Sequence, residues 1–81
     1  MTAPTPDSYL VIIERGPSTY GAYAPDLPGC VATGRTVDEC ERNMREAIAA
    51  HLAVTRDFGE TVPVPSIAAA SWVRAAAPEP A

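Results

Sequence analysis

Two prolines three residues apart, in Tyr23-Ala24-Pro25-Asp26-Leu27-Pro28-Gly29-Cys30, constrain this chain more than any other feature. Each fixes φ and removes a backbone donor, so the segment is neither helix nor sheet ladder and must be a structured loop. Before it, Ser8–Glu14 is short, β-branched and bounded by breakers, which predicts a strand. Its nearly continuous apolar run reads as a central strand with both faces at least partly covered. Arg15–Thr19 is turn material, and Tyr20–Ala24 completes a hairpin in which Tyr20 and Tyr23 read as sharing a face. After the loop, Cys30–Thr33 predicts a third short strand and Gly34-Arg35 a turn.

From Val37 to about Asp57 no glycine or proline interrupts the chain. Thr36-Val37-Asp38-Glu39 is a capping box, in which the Thr36 hydroxyl accepts from the Glu39 amide and Glu39 reaches back to Thr36. Val37, Cys40, Met44, Ala47, Ile48 and His51 recur at helical spacing on one face, with Leu52 and Thr55 extending it. Gly59 falls at the left-handed capping position after the helix. Glu60–Ser66, with Pro63 and Pro65, reads as an extended linker. Ser71-Trp72-Val73-Arg74 reads as a last edge strand, although its flanking alanines would support a short helix equally well.

The expected fold class is therefore α+β: a three- to four-stranded, mainly antiparallel sheet with one long helix packed on one face, in the order β-β-β-α-β. Residues 1–7 and 76–81 are expected to be flexible tails around a single domain at 8–75. A chain of 81 residues buries only about 60% of its unfolded surface, so self-association would add core. Trp72 and Val73, near the free sheet edge, are the candidates for that contact.

The formal net charge is −4, from ten acids against six arginines and no lysine. That balance disfavours direct nucleic-acid binding, which asks for a basic patch or stripe, and suits a basic protein partner. Met1–Asp7 has neither a basic residue nor an apolar segment, so no signal peptide is expected. No apolar run approaches the roughly 20 residues of a membrane span. A cytoplasmic location with Cys30 and Cys40 reduced is the expectation.

The segment from Tyr23 to Cys30, with Gly34 and Thr36 close behind it and then Asn43-Met44-Arg45-Glu46-Ala47-Ile48 in the helix, resembles the HicB family of antitoxins. Val11–Glu14 resembles the family's first strand, and Val62-Pro63-Val64-Pro65-Ser66 resembles the segment after its helix, so the likeness runs from about Tyr9 to Ser66. The resemblance implies a truncated ribonuclease-H-like sheet with one helix. It also implies a role: binding a small basic mRNA-cleaving toxin of the HicA type and neutralising it by covering its active site. Many family members also carry a C-terminal DNA-binding module. Only about fifteen Ala- and Pro-rich residues lie beyond Ser66, and no recognition helix fits them. The alternative is a solitary structural or ligand-binding module of the same family without a toxin.

The partner contact is expected at the rigid loop, through Tyr23, Pro25, Asp26, Leu27, Pro28 and Gly29, because a proline-fixed loop loses little entropy on binding. No catalytic residue, metal site or cofactor is expected. Two-metal nuclease chemistry needs several converging carboxylates, and strand one offers only Glu14, at its end. Asp26 is explained most simply as an Asx-type turn residue accepting from nearby amides. His51 reads as a boundary histidine bonded to a backbone carbonyl. Cys30 and Cys40 read as small buried apolar residues, and Cys30 lacks the neighbouring base or positive helix end that would make it reactive.

Overall fold

The computed structural model describes residues 7–76. Three strands, β1 (Ile12–Arg15), β2 (Tyr20–Tyr23) and β3 (Val31–Gly34), form an antiparallel sheet in the order β1-β2-β3, and one helix, α1 (Val37–Asp57), comes after them. The α+β class, with a helix packed on one face of an antiparallel sheet, is as the sequence implies. Four details differ. β1 is an edge strand and β2 is central. β1 also begins only at Ile12, because its partner β2 ends at Tyr23 and Pro25 then turns the chain away with no donor to offer Tyr9–Val11. No fourth strand forms at Ser71–Arg74, where the backbone finds no ladder partner and Trp72 and Val73 are 102% and 85% exposed. Lastly, Tyr20 and Tyr23 lie on opposite faces, as positions three apart in an alternating strand must. The expected tails fall almost wholly outside the described residues.

The register explains the two faces. Ile13, Ala22 and Ala32 form one cross-strand row, and Ile12, Tyr23 and Val31 form the row that faces the other way. The first row packs under α1 in a core of Ala22, Ala24, Leu27, Cys30, Cys40 and Met44. The second row stays open, with Val31 65% exposed. Helix and sheet lie in close contact at Gly34. A Cβ there would stand 2.5 Å from the Cys40 backbone nitrogen, so only glycine lets α1 lie directly against β3.

Both helix ends are built from local chemistry. The Thr36 hydroxyl accepts from the Glu39 amide at 3.0 Å. The Glu39 carboxylate reaches one residue further back than expected, accepting from the Arg35 amide at 3.2 Å. At the other end Gly59 takes φ +70°. The Gly59 amide donates to Arg56 and the Glu60 amide to Thr55, the paired bonds of a Schellman cap. Cys40 and Met44 are fully buried, but Val37, at the first helical position, is 46% exposed. Asn43 fastens the helix to the sheet by donating its amide to the Thr33 carbonyl at 2.8 Å.

Candidate functional site

The loop after β2 is two consecutive tight turns sharing Leu27. The Leu27 amide donates to Ala24 at 3.0 Å and the Cys30 amide to Leu27 at 3.1 Å. Each turn has proline at its second position. Gly29, at the third position of the second turn, takes φ +84°, which makes that turn type II. Leu27 has no exposed surface, so its side chain holds the loop down against the core and presents nothing outward. Tyr23, Pro25, Pro28 and Gly29 remain exposed around that anchor.

Asp26 is not a local turn acceptor. Its carboxylate reaches across 40 residues to accept from the Ser66 amide at 2.8 Å, from the Ser66 hydroxyl, and from the Ile67 amide at 3.3 Å. Those bonds, led by the Ser66 hydroxyl, hold its carboxyl below the usual carboxylate range. A second tether lies nearby in sequence, where the Tyr9 hydroxyl donates to the Pro63 carbonyl. The proline-rich segment after α1 is thus an arm pinned at two points. Sequence reasoning missed Ser66 and Tyr9 in these roles. The Asp and the Ser-containing segment were both conspicuous, but nothing in their separation shows that they meet.

Around this clamp the surface is a set of shallow grooves. One, of about 380 Å³, runs from Gly29, Cys30 and Val31 onto Ala47, Ala50 and Val54 of α1 and includes His51. The bond to a carbonyl at this level is made by the Thr55 hydroxyl, which donates to the His51 carbonyl at 2.8 Å. A second groove, of about 590 Å³, lies beside β1 and is lined by Val11, Ile13, Arg15, Tyr20, Val37 and Trp72. Both cysteines are free and buried, and burial pushes the Cys30 thiol up, away from the reactive thiolate. Among the described residues, no three His, Cys, Asp or Glu side chains gather as a metal site would require. Glu14 lies on the open, exposed side of the sheet and Asp26 is engaged with the arm. Among the described residues no helix is long and apolar enough to cross a membrane.

The likeness to known proteins identifies the family. The family described as HicB_like antitoxin of bacterial toxin-antitoxin system matches residues 9–78, and this chain belongs to it. The fold is similar to the N-terminal domain of the Burkholderia pseudomallei antitoxin HicB, with 32% identity, a TM-score of 0.63, and coverage of 73% of this chain and 70% of that one. It is equally similar to a chain of the HicA3 and HicB3 toxin-antitoxin complex, with 30% identity, a TM-score of 0.63, and coverage of 70% and 66%. Among curated proteins, an uncharacterized 14.9 kDa protein in the rep-hol intergenic region of Haemophilus phage HP1 (strain HP1c1) is 34% identical over 55 residues, covering 68% of this chain and 41% of that protein. A UPF0150 protein of Helicobacter pylori (strain J99) is 42% identical over 41 residues, covering 51% and 57%. The chain therefore spans about half the length of the curated relatives it matches.

Proposed function

We propose that this chain is a cytoplasmic antitoxin that binds a small basic, RNA-cleaving toxin of the HicA type and neutralises it by covering its active site. The observation that carries this reading is the built state of the loop. Two turns, the Leu27 anchor and the Asp26–Ser66 clamp fix its backbone, while Tyr23, Pro25, Pro28 and Gly29 stay accessible. Such a surface loses little conformational freedom on binding. The exposed Val31 extends it onto the open sheet face. The net charge of −4 and pI near 4.7 favour encounter with a basic partner. Membership of an antitoxin family, and the likeness to a chain of the HicA3 and HicB3 complex, support the same partner class. In this reading residues 8–75 are the functional unit, its chemistry is occlusion and not catalysis, and operator DNA is not its ligand.

The test is direct. A small basic protein encoded beside this chain is purified and its cleavage of RNA measured with increasing amounts of the chain. Cleavage is expected to stop near equimolar addition, with a stable complex by size-exclusion chromatography. Undiminished cleavage at severalfold excess would overturn the antitoxin reading and leave a solitary module of the same family.

A further inference from the structure

The arm beyond the Asp26 clamp runs past β1 without packing on it. The radius of gyration is 15.8 Å and the longest dimension 59 Å, against the roughly 11–12 Å radius of a compact chain of this size. Its apolar side chains are spread on solvent: Trp72 is 102% exposed and Val73 85%. Yet the arm is not loose at its root, where Asp26 holds Ser66 and Ile67 and Tyr9 holds Pro63. Trp72 borders the groove along β1, between Ile13, Tyr20 and Val37, without burying any of its surface there. Among the described residues the outer edge of β1 has no strand beside it.

We infer that the arms of two copies are exchanged: residues 67–76 of each chain dock on the β1 groove of the other, with Trp72 seated between Ile13, Tyr20 and Val37 of the second copy. Three observations converge on a second copy as the occupant. The chain's own arm reaches this groove and fails to fill it. The arm carries the apolar residues that an apolar groove demands, including the single tryptophan. Ser71–Arg74 has strand-forming character but no ladder in the isolated chain, and an unpaired edge of β1 is a template for one. Reciprocal docking repeats one arm-to-groove contact twice, as an isologous dimer requires. The inference is independent of any toxin, and its test uses this chain alone.

The single tryptophan makes the test simple. Light scattering on the full chain is expected to give twice the 8.5 kDa chain mass. Its fluorescence is expected to be blue-shifted, moving to the red as dilution separates the copies. Trp72→Ala, an arm change, and Val37→Glu, a groove change at an exposed position, are each expected to weaken dimerisation by about 30-fold or more, the ratio a central aromatic anchor commands. Mixing the two variants is expected to restore association, because one intact arm then meets one intact groove. Circular dichroism of each variant verifies that the domain is still folded. A monomeric wild type, a Trp72→Ala variant as dimeric as the wild type, a blue-shifted tryptophan that ignores dilution, or folded variants that fail to complement would each overturn the exchange.

Discussion

Among the described residues two proline-rich stretches lack regular structure, and they behave in opposite ways. The loop Ala24–Cys30 closes on itself: its turn amides find carbonyls within the loop, its glycine relieves the one left-handed position, and Leu27 disappears into the core. The arm from Glu60 to Ala76 has prolines too, but its fixed points are borrowed from elsewhere, from Asp26 and Tyr9, and beyond Ile67 its large side chains meet solvent. Proline content therefore does not make a segment rigid or loose. What decides is whether the backbone donors are satisfied locally and whether an apolar side chain anchors the stretch.

The largest expected effect tests the anchor. Leu27→Ala removes a fully buried side chain from beneath the loop and should destabilise the domain by about 3 kcal/mol, read as a lower denaturant midpoint with little change in slope. If the loss were under about 1 kcal/mol, the loop would owe its shape to its prolines alone and the contrast with the arm would disappear. Next comes the turn itself. Gly29 has open space where a Cβ would go but sits at φ +84°, so Gly29→Ala should cost about 1–2 kcal/mol from backbone strain and not from crowding. Gly29→Asn should recover part of that, since asparagine tolerates the left-handed region.

These two residues show what the sequence could reveal. Short-range chemistry was legible: the Pro-x-x-Pro-Gly spacing announced a structured loop, Thr36 and Glu39 announced the helix start, and Gly59 its end. Each of those features is completed within a few residues. Long-range pairing was not legible. The apolar run of Ser8–Glu14 read as a central strand, but strand order depends on which strand turns last, and the run is apolar because one row packs under α1 and the other lies open at half-burial. Asp26 read as a local acceptor for the same reason: its true donors lie 40 residues on, at Ser66 and Ile67, and no periodicity connects them. The strand expected at Ser71–Arg74 had the right composition and lacked only a neighbour.

The clamp that joins the two stretches should respond to pH. The folded Asp26 carboxyl lies below its ordinary value because the Ser66 hydroxyl and the two amides favour the charged form. Its contribution is therefore fully present above the unfolded carboxylate range and is lost as pH falls through the lowered folded value. Hydrogen exchange at the Ser66 and Ile67 amides should quicken in that acid window before the loop amides of Leu27 and Cys30 respond. Asp26→Asn should produce the same selective loosening at neutral pH, because one of its two terminal groups donates where Ser66 and Ile67 also donate. Equal quickening at the loop and the arm would mean that the clamp, and not Leu27, holds the loop.

The smallest expected effect sharpens the comparison most. In the separated chain Trp72 contacts nothing that shields it, so Trp72→Ala should change domain stability by less than about 0.5 kcal/mol when measured dilute. At high protein concentration the same substitution should matter, because association stabilises the folded chain by mass action. The wild-type midpoint should then climb with concentration while that of the variant stays flat. An arm residue that mattered equally at every concentration would belong to its own domain, as Leu27 does, and the two proline-rich stretches would differ only in degree.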